Sequence, residues 1–269
     1  SATLPAETRR ELVTAYAGCG VSLPDVPGPA VTWATDAAVG VLPLPEPESR
    51  PVSLGWVSRN PQAVVATLRE VLAEGGCAAV ICNTVARAQA IYEAVQEAAL
   101  VPDAALTLFH ARYPFGWRDQ IEQSVLGRFS RQGNRPERAI VVATQVIEQS
   151  LDLDFDMLIS DLAPVDLLIQ RAGRLHRHPG RTRPKQVSAP RLVLAVDAED
   201  PDLPDFGQDA YVYERFVLLR TYAELRGRSE LSLPSEVRTL IEAVYGAELP
   251  SDDLPGLSQA LALMQCHEA

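Results

Sequence analysis

The sequence predicts an α/β fold in which helices cover both faces of a parallel β-sheet. Short, continuous apolar runs recur along the chain, at 77–82, 106–109, 139–143, 157–160 and 191–196. Segments with apolar residues at helical spacing lie between these runs, and strands that alternate with helices build parallel sheets. With 269 residues, 47% of them hydrophobic, the chain can bury a core without disulfide staples.

The predicted elements follow in order along the chain. A first helix covers 7–17, and a Pro-rich segment at 22–51 holds only short extended pieces, near 31–33 and 39–44, because its prolines forbid a long helix. Apolar spacing then predicts helices at 63–73, 85–95, 121–129 and from Pro164 onward. Beyond an acidic surface loop at 197–209, we predict only helices, at 212–225, 234–245 and 257–264.

Several functional classes are excluded by what the sequence lacks. Lysine occurs once, as Lys185, so there is no Gly-Lys-Ser/Thr step for a phosphate-binding P-loop. There is no Asp-Glu pair for a helicase Mg²⁺ box, and no His followed by Asp for a nuclease of that type. No apolar run approaches the ~20 residues of a membrane span. The four cysteines form no CxxC pair, which indicates buried free thiols and a cytoplasmic protein.

The sharpest local motif is QRAGRLHRH at 170–178. If the helix from Pro164 continues through it, Gln170, Arg174 and Arg177 fall within about 60° of one another, and Arg171 points away. Two guanidiniums and an amide on one face suit the γ-phosphate of a nucleoside triphosphate. The alternative is an ordinary solvated basic face. The two histidines of the motif lack a third ligand at a sensible spacing, so we predict no metal there.

Polar residues also follow the predicted strands, at the sheet edge where ligands bind in parallel sheets. Thr144 would present its hydroxyl to a nucleic-acid phosphate, and Asp152 would accept from a ribose hydroxyl or hold an arginine finger. Asn83 and Thr84 would bind a phosphate at a helix N-terminus. The alternative for these four is helix capping or a turn.

A loop with His110 and Arg112 follows the 106–109 strand and suits contact with a DNA backbone, unless it is only a surface loop. The net charge of −11 would repel DNA, but 167–196 contains six arginines, one lysine and no acid. Nucleic-acid binding would therefore use a focused groove.

Taken together, these segments resemble a known family. Ser1-Ala2-Thr3, CAAVICNT, ATQVIEQSLDLDFD and QRAGRLHRH are similar to motifs III, IV, V and VI of superfamily 2 helicases. LFHARYPFGWRDQIE and YVYERFVLLRTYAEL most resemble the helicase-nucleases of type I CRISPR interference.

The resemblance implies a second RecA-like lobe at 51–200, preceded at 1–50 by the tail of a first lobe and a connector. A helical extension would follow at 201–269. The whole protein would be an ATP-dependent 3′-to-5′ single-stranded DNA helicase with a metal-dependent nuclease, recruited by a guide-RNA surveillance complex to degrade invader DNA. ATP and Mg²⁺ would be bound mainly by the first lobe, and the nuclease metal by a separate nuclease domain. Since the chain lacks those motifs and begins without Met, we expect it to be an internal fragment that is inactive alone.

The resemblance also implies residue roles. Arg174 and Arg177 would be arginine fingers, and Gln170 would contact the γ-phosphate or the attacking water. Asp152 would contact the ribose or a finger. Single-stranded DNA would be faced by Thr144, Asn83, Thr84 and Arg112, and the two sites would be coupled by Ser1 and Thr3. The alternatives are another superfamily 2 translocase, of restriction or repair, and a non-enzymatic docking module or target of a phage anti-CRISPR protein.

Overall fold

The computed structural model describes residues 4–17, 23, 28–35, 38–46, 48–148, 151–197, 204–246, 256–257 and 259–262. Strands β1 (Ala30–Ala34) and β2 (Val39–Pro43) pair antiparallel as a separate hairpin. The main sheet has the strand order β5-β6-β4-β7-β8-β3-β9. Its strands are β3 (Arg50–Val57), β4 (Gly76–Ile81), β5 (Leu106–Phe109), β6 (Arg138–Ala143), β7 (Met157–Asp161), β8 (Arg191–Ala195) and β9 (Glu230–Leu233). Only β9, at one edge, runs antiparallel to its neighbour.

Helices cover both faces of this sheet. They are α2 (Pro61–Val71), α3 (Val85–Glu97), α4 (Phe115–Phe129), α5 (Val165–Ala172), α6 (Arg215–Leu225) and α7 (Val237–Tyr245). Helix α1 (Ala6–Ala17) has no buried residue and contacts β1 of the hairpin. One hydrophobic cluster joins the sheet to α2 and α3, and the other joins it to α4, α5, α6 and α7. Successive side chains of β4 enter opposite clusters, as the two-residue period of a strand requires, which explains why its whole run is apolar.

The sequence prediction is confirmed for the α/β class and for five strands of the main sheet, β4 to β8. Two strands were missed. β3 alternates buried Val52 and Leu54 with more exposed residues, a pattern hidden by the prolines around it. β9 has only four residues and lies within the segment predicted to be wholly helical, so the prediction of helices alone beyond residue 209 is wrong. The predicted helix at 257–264 lies only partly within the described residues.

Candidate nucleotide and nucleic-acid site

The helix that carries the QRAGRLHRH motif is shorter than predicted. α5 ends at Ala172, with Gly173 as its C-cap, and His176 has a φ of 46°, which no α-helix accommodates. The prediction that one continuous helix runs through 178 is therefore wrong. The side chains of Arg174 and Arg177 are placed by a loop, and only Gln170 is exposed on α5 itself.

Arg174 turns inward, toward the segment that follows β6. Its side chain is almost fully buried, and its two terminal nitrogens donate to the carbonyl oxygens of Glu148, at 2.7 Å, and of Leu151. Burial, followed by the nearby charge of Arg177, lowers the pKa of its guanidinium. The structure therefore does not show the expected pair of solvent-facing guanidiniums, because the terminal nitrogens of Arg174 donate to backbone carbonyls.

Arg177 lies at the surface and pairs with Asp152. Its Nε is 2.6 Å from the Asp152 carboxylate, and both side chains are about half exposed, at 48% and 51%. The His178 ring is buried, and its Nε2 lies 3.1 Å from the same carboxylate oxygen. His178 first, and then Arg177, lower the pKa of Asp152. This small group presents an ionised carboxylate and the guanidinium paired with it to solvent.

Arg171, predicted to point away from the chemistry, is instead a fully buried hub. Its Nε donates to Glu148 Oε1 and one terminal nitrogen to Ser160 Oγ, both at 2.7 Å. The other terminal nitrogen lies 3.3 Å from Asn83 Oδ1 and 3.4 Å from the Tyr213 hydroxyl. Sequence reasoning missed Glu148 and Tyr213, since nothing local marks them as partners of a residue far along the chain.

Asn83 and Thr144, two of the residues predicted to face DNA, are buried, with exposed fractions of 4% and 3%. The Asn83 side chain donates to Leu162 O at 2.6 Å, and the Thr144 amide donates to Phe109 O at 3.0 Å. The prediction that they expose polar groups to a phosphate is therefore wrong. They hold the ends of neighbouring strands together at the carboxyl edge of the sheet.

Thr84 and Arg112 remain accessible at that edge. Thr84 is the N-cap of α3, with its hydroxyl accepting from the Arg87 amide at 3.3 Å, and it is part exposed. Arg112 is exposed in the loop after β5. His110, from the same loop, is buried with an exposed fraction of 4%, which contradicts its assignment to the surface.

Carboxylates from outside the basic run at 167–196 neutralise part of its charge. Asp154 and Asp156 are buried at the start of β7 and bind three arginines: Arg135, Arg181 and Arg183. Two of these arginines belong to the run itself. With Arg171 bound to Glu148 and Arg177 to Asp152, four of the seven cations of the run are paired with carboxylates.

Ser1 and Thr3 lie outside the described residues. Within the described part of the chain, no group of three or more His, Cys, Asp and Glu side chains is arranged to hold a metal ion. No helix among those residues is both long and apolar enough to cross a membrane. Cys77 and Cys82 are buried free thiols, and burial raises the pKa of Cys77 to about 11.

Comparison with known proteins relates this arrangement to one family. Residues 74–180 match the family described as CRISPR-associated nuclease/helicase Cas3, C-terminal. The CRISPR-associated endonuclease/helicase Cas3 of Thermus thermophilus is 38% identical over 302 residues, covering 96% of this chain and 32% of the relative. The chain therefore spans about one third of the length of the curated relatives it matches.

Solved structures agree over the whole chain. A CRISPR-associated protein superposes with a TM-score of 0.91 at 44% identity, covering 100% of this chain and 31% of that one. The T. fusca Cas3–ATP structure gives 0.87 at 33% identity, covering 100% and 33%. A CRISPR RNA-guided surveillance complex in a pre-nicking state gives 0.80 at 32% identity, covering 100% and 36%. These matches show that the main sheet and its flanking helices share the fold of the matched parts of those proteins.

Proposed function

The chain belongs to the Cas3 family of CRISPR-associated nuclease/helicases, and on this premise we propose that it is the second RecA-like lobe of an ATP-dependent helicase. The helicase travels 3′ to 5′ on single-stranded DNA and unwinds invader DNA in type I CRISPR interference, while a nuclease domain degrades the strand. In this proposal the chain supplies arginines to the nucleotide and part of the DNA groove. It is inactive without a nucleotide-binding lobe.

The observation that carries the proposal is the exposed Arg177–Asp152 pair beside Arg174. A guanidinium that is always charged and held by a surface carboxylate can leave it for a more highly charged phosphate without unfolding anything. Arg177 is therefore the first arginine finger in our proposal. Arg174 is the second, and it must release the Glu148 and Leu151 carbonyls before it contacts phosphate. Gln170 contacts the γ-phosphate or water from the exposed side of α5.

The residues of this chain fit only one side of a nucleotide. Arg177 and Gln170 offer donors for terminal phosphate oxygens, while the sequence has no P-loop lysine to hold the rest. ATP and Mg²⁺ would therefore be bound mainly by a first RecA-like lobe, and bound ATP would supply the free energy for movement. The metal of the nuclease reaction belongs to a nuclease domain. Asp152 orients Arg177 or binds the ribose.

The residues that we propose for the DNA groove form two groups, one accessible to solvent and one buried. Arg112 and Thr84 contact the backbone directly, and the buried Thr144 and Asn83 support them by holding the strand ends. Ser1 and Thr3 couple nucleotide and DNA sites. Recruitment by a guide-RNA surveillance complex is part of the proposal, supported by the pre-nicking complex among the matched structures. We place the protein in the cytoplasm, where that complex would meet invader DNA.

The test is ATP turnover by the complete gene product in the presence of single-stranded DNA. Arg177→Ala should lower kcat by about 10³- to 10⁵-fold, the usual contribution of an arginine finger, with ATP affinity nearly unchanged. Arg177→Lys should recover little, because an ammonium cannot reproduce the planar fork. Arg10→Ala, which removes an exposed arginine of α1, is the matched control. An unchanged kcat in Arg177→Ala would refute the finger assignment.

A further inference from the structure

The first turn of α4 exposes two large aromatic side chains. Phe115 is 77% exposed and Trp117 is 63% exposed. The buried residues of α4, Val125 and Phe129, both lie in its C-terminal half, so the N-terminal half packs against little of the described chain. The two rings are two residues apart on the helix, so they point to different sides of it. Each leaves a large apolar surface in water and forgoes the hydrophobic stabilisation of burial, which indicates a binding partner.

The loop that leads into α4 is well anchored. His110 is buried, and its ring stacks on Tyr113 with a centroid distance of 4.1 Å and an interplanar angle of 3°. Gly116 lies between the two exposed aromatics, and a Cβ added there would meet nothing within 4 Å. The rings therefore stand on a supported backbone with open space beside them.

Two arginines, Arg112 and Arg118, flank these rings in a chain of net charge −11. No acid occurs from His110 to Arg118, and the exposed Asp119 follows directly. The Arg118 guanidinium lies 5.6 Å from the centroid of the Phe115 ring. Arg112, three residues before Phe115, is exposed. Cations interleaved with aromatic faces complement a polyanion that carries flat bases.

Trp117 also borders an open hollow of about 450 Å³ between α4 and β5. Thr107 and Arg128 line it, and Arg128 donates to the Thr107 hydroxyl at 2.7 Å. Its size is within the range of about 300–1,000 Å³ that holds small ligands. The hollow therefore leaves open space beside the Trp117 ring.

We propose that Phe115 and Trp117 form a base-stacking site for unpaired nucleotides, with Arg112 and Arg118 neutralising the adjacent phosphates. The site follows the carboxyl end of β5, at the sheet edge that also carries Thr84. This inference rests on the proposed function, because it assumes that single-stranded DNA passes along this edge. It adds ring contacts, which carry no charge, to a groove otherwise described by phosphate contacts.

The test compares a labelled oligothymidylate with an abasic oligonucleotide of the same length, by fluorescence anisotropy with the complete gene product. Phe115→Ala and Trp117→Ala should each weaken oligothymidylate binding by about 5- to 100-fold. Neither should weaken binding of the abasic strand or change the slope of log Kd against log salt. Arg112→Ala should instead reduce that slope by about 0.7 for either strand. Tyr16→Ala, which removes another exposed aromatic ring, is the control.

The outcomes separate the two proposals. If wild-type protein binds no single-stranded DNA, the proposed function fails. If it binds but the aromatic variants match wild type, or lose affinity equally for the abasic strand, the stacking site is refuted. Tryptophan emission adds a direct readout, since oligothymidylate should quench wild-type protein more than Trp117→Phe. If acrylamide does not reach Trp117 in the DNA-free protein, another part of the gene product covers the ring, which would also overturn the inference.

Discussion

The two arginines proposed as fingers should differ sharply in their contribution to stability. Arg174→Ala removes the donors of two carbonyl oxygens, those of Glu148 and Leu151, from a guanidinium that is 6% exposed. A buried acceptor left without a donor costs about 1–3 kcal/mol. Glu148 and Leu151 are only partly buried, so we take the lower part of the range and expect about 2–4 kcal/mol for the pair.

Arg177→Ala removes a contact of a different kind. The Arg177–Asp152 pair is about half exposed on both sides, and such surface pairs contribute about 0–1 kcal/mol. Urea unfolding of the 269-residue chain, followed by circular dichroism, measures both variants. With an m value of about 3 kcal/mol per M, Arg174→Ala should lower the midpoint by about 1 M, and Arg177→Ala should lower it little. Equal midpoints would refute the inward assignment of Arg174, and Arg174→Lys should fall between wild type and Arg174→Ala.

Three further predictions follow from the same contacts. Tyr213→Phe removes a hydroxyl that accepts from two donors and should cost about 0.5–1.5 kcal/mol in urea unfolding, whereas Tyr211→Phe, at a residue 90% exposed, should cost nothing measurable; equal losses would contradict the hub. Burial first, and then Arg183, lower the pKa of His176 to about 4 from an ordinary 6.5, so its neutral form is favoured in the folded state. The folding stability that neutral His176 contributes is fully present above pH 6.5 and is lost as the pH falls from 6.5 to 4. Because the ring is partly exposed, we expect a loss of about 1–2 kcal/mol. His176→Asn, which tolerates the positive φ, should lose less stability than wild type between pH 7 and 4.5, and identical losses would argue against a part-buried neutral ring. Finally, if about 4 phosphates are neutralised, single-stranded DNA affinity should fall with a log-log salt slope near −3, and a slope near zero would exclude phosphate-dominated binding.

The three arginines of the 170–178 motif share one partner segment. Arg171 binds the Glu148 carboxylate, Arg174 binds the carbonyls of Glu148 and Leu151, and Arg177 binds the Asp152 carboxylate. That segment starts next to Thr144, at the carboxyl edge of the sheet.

The order of elements could be predicted because it depends on local patterns. The apolar runs at 77–82 and 139–143 have no polar alternation and are too short for helices, which is typical of strands covered on both faces. β9 could not be predicted, since its four residues form a strand only because β3 offers an unpaired edge. The end of α5 was missed for a related reason. Gly173 permits the helix to end, but the ending is stabilised by contacts between Phe155 and the loop at 174–176, which come from distant parts of the sequence.

The sequence by itself determined the α/β class, the positions of strands β4 to β8 and which residue types stand at the strand ends, because these depend on hydrophobic periodicity and local chemistry. Only the tertiary structure decided that Asp152 faces solvent while Asp154 and Asp156 are buried among arginines. It also decided that Arg171 is a buried hub and Arg177 a surface residue. Burial and pairing depend on partners from distant parts of the chain, such as Arg135 and Tyr213, and no local pattern records those neighbours.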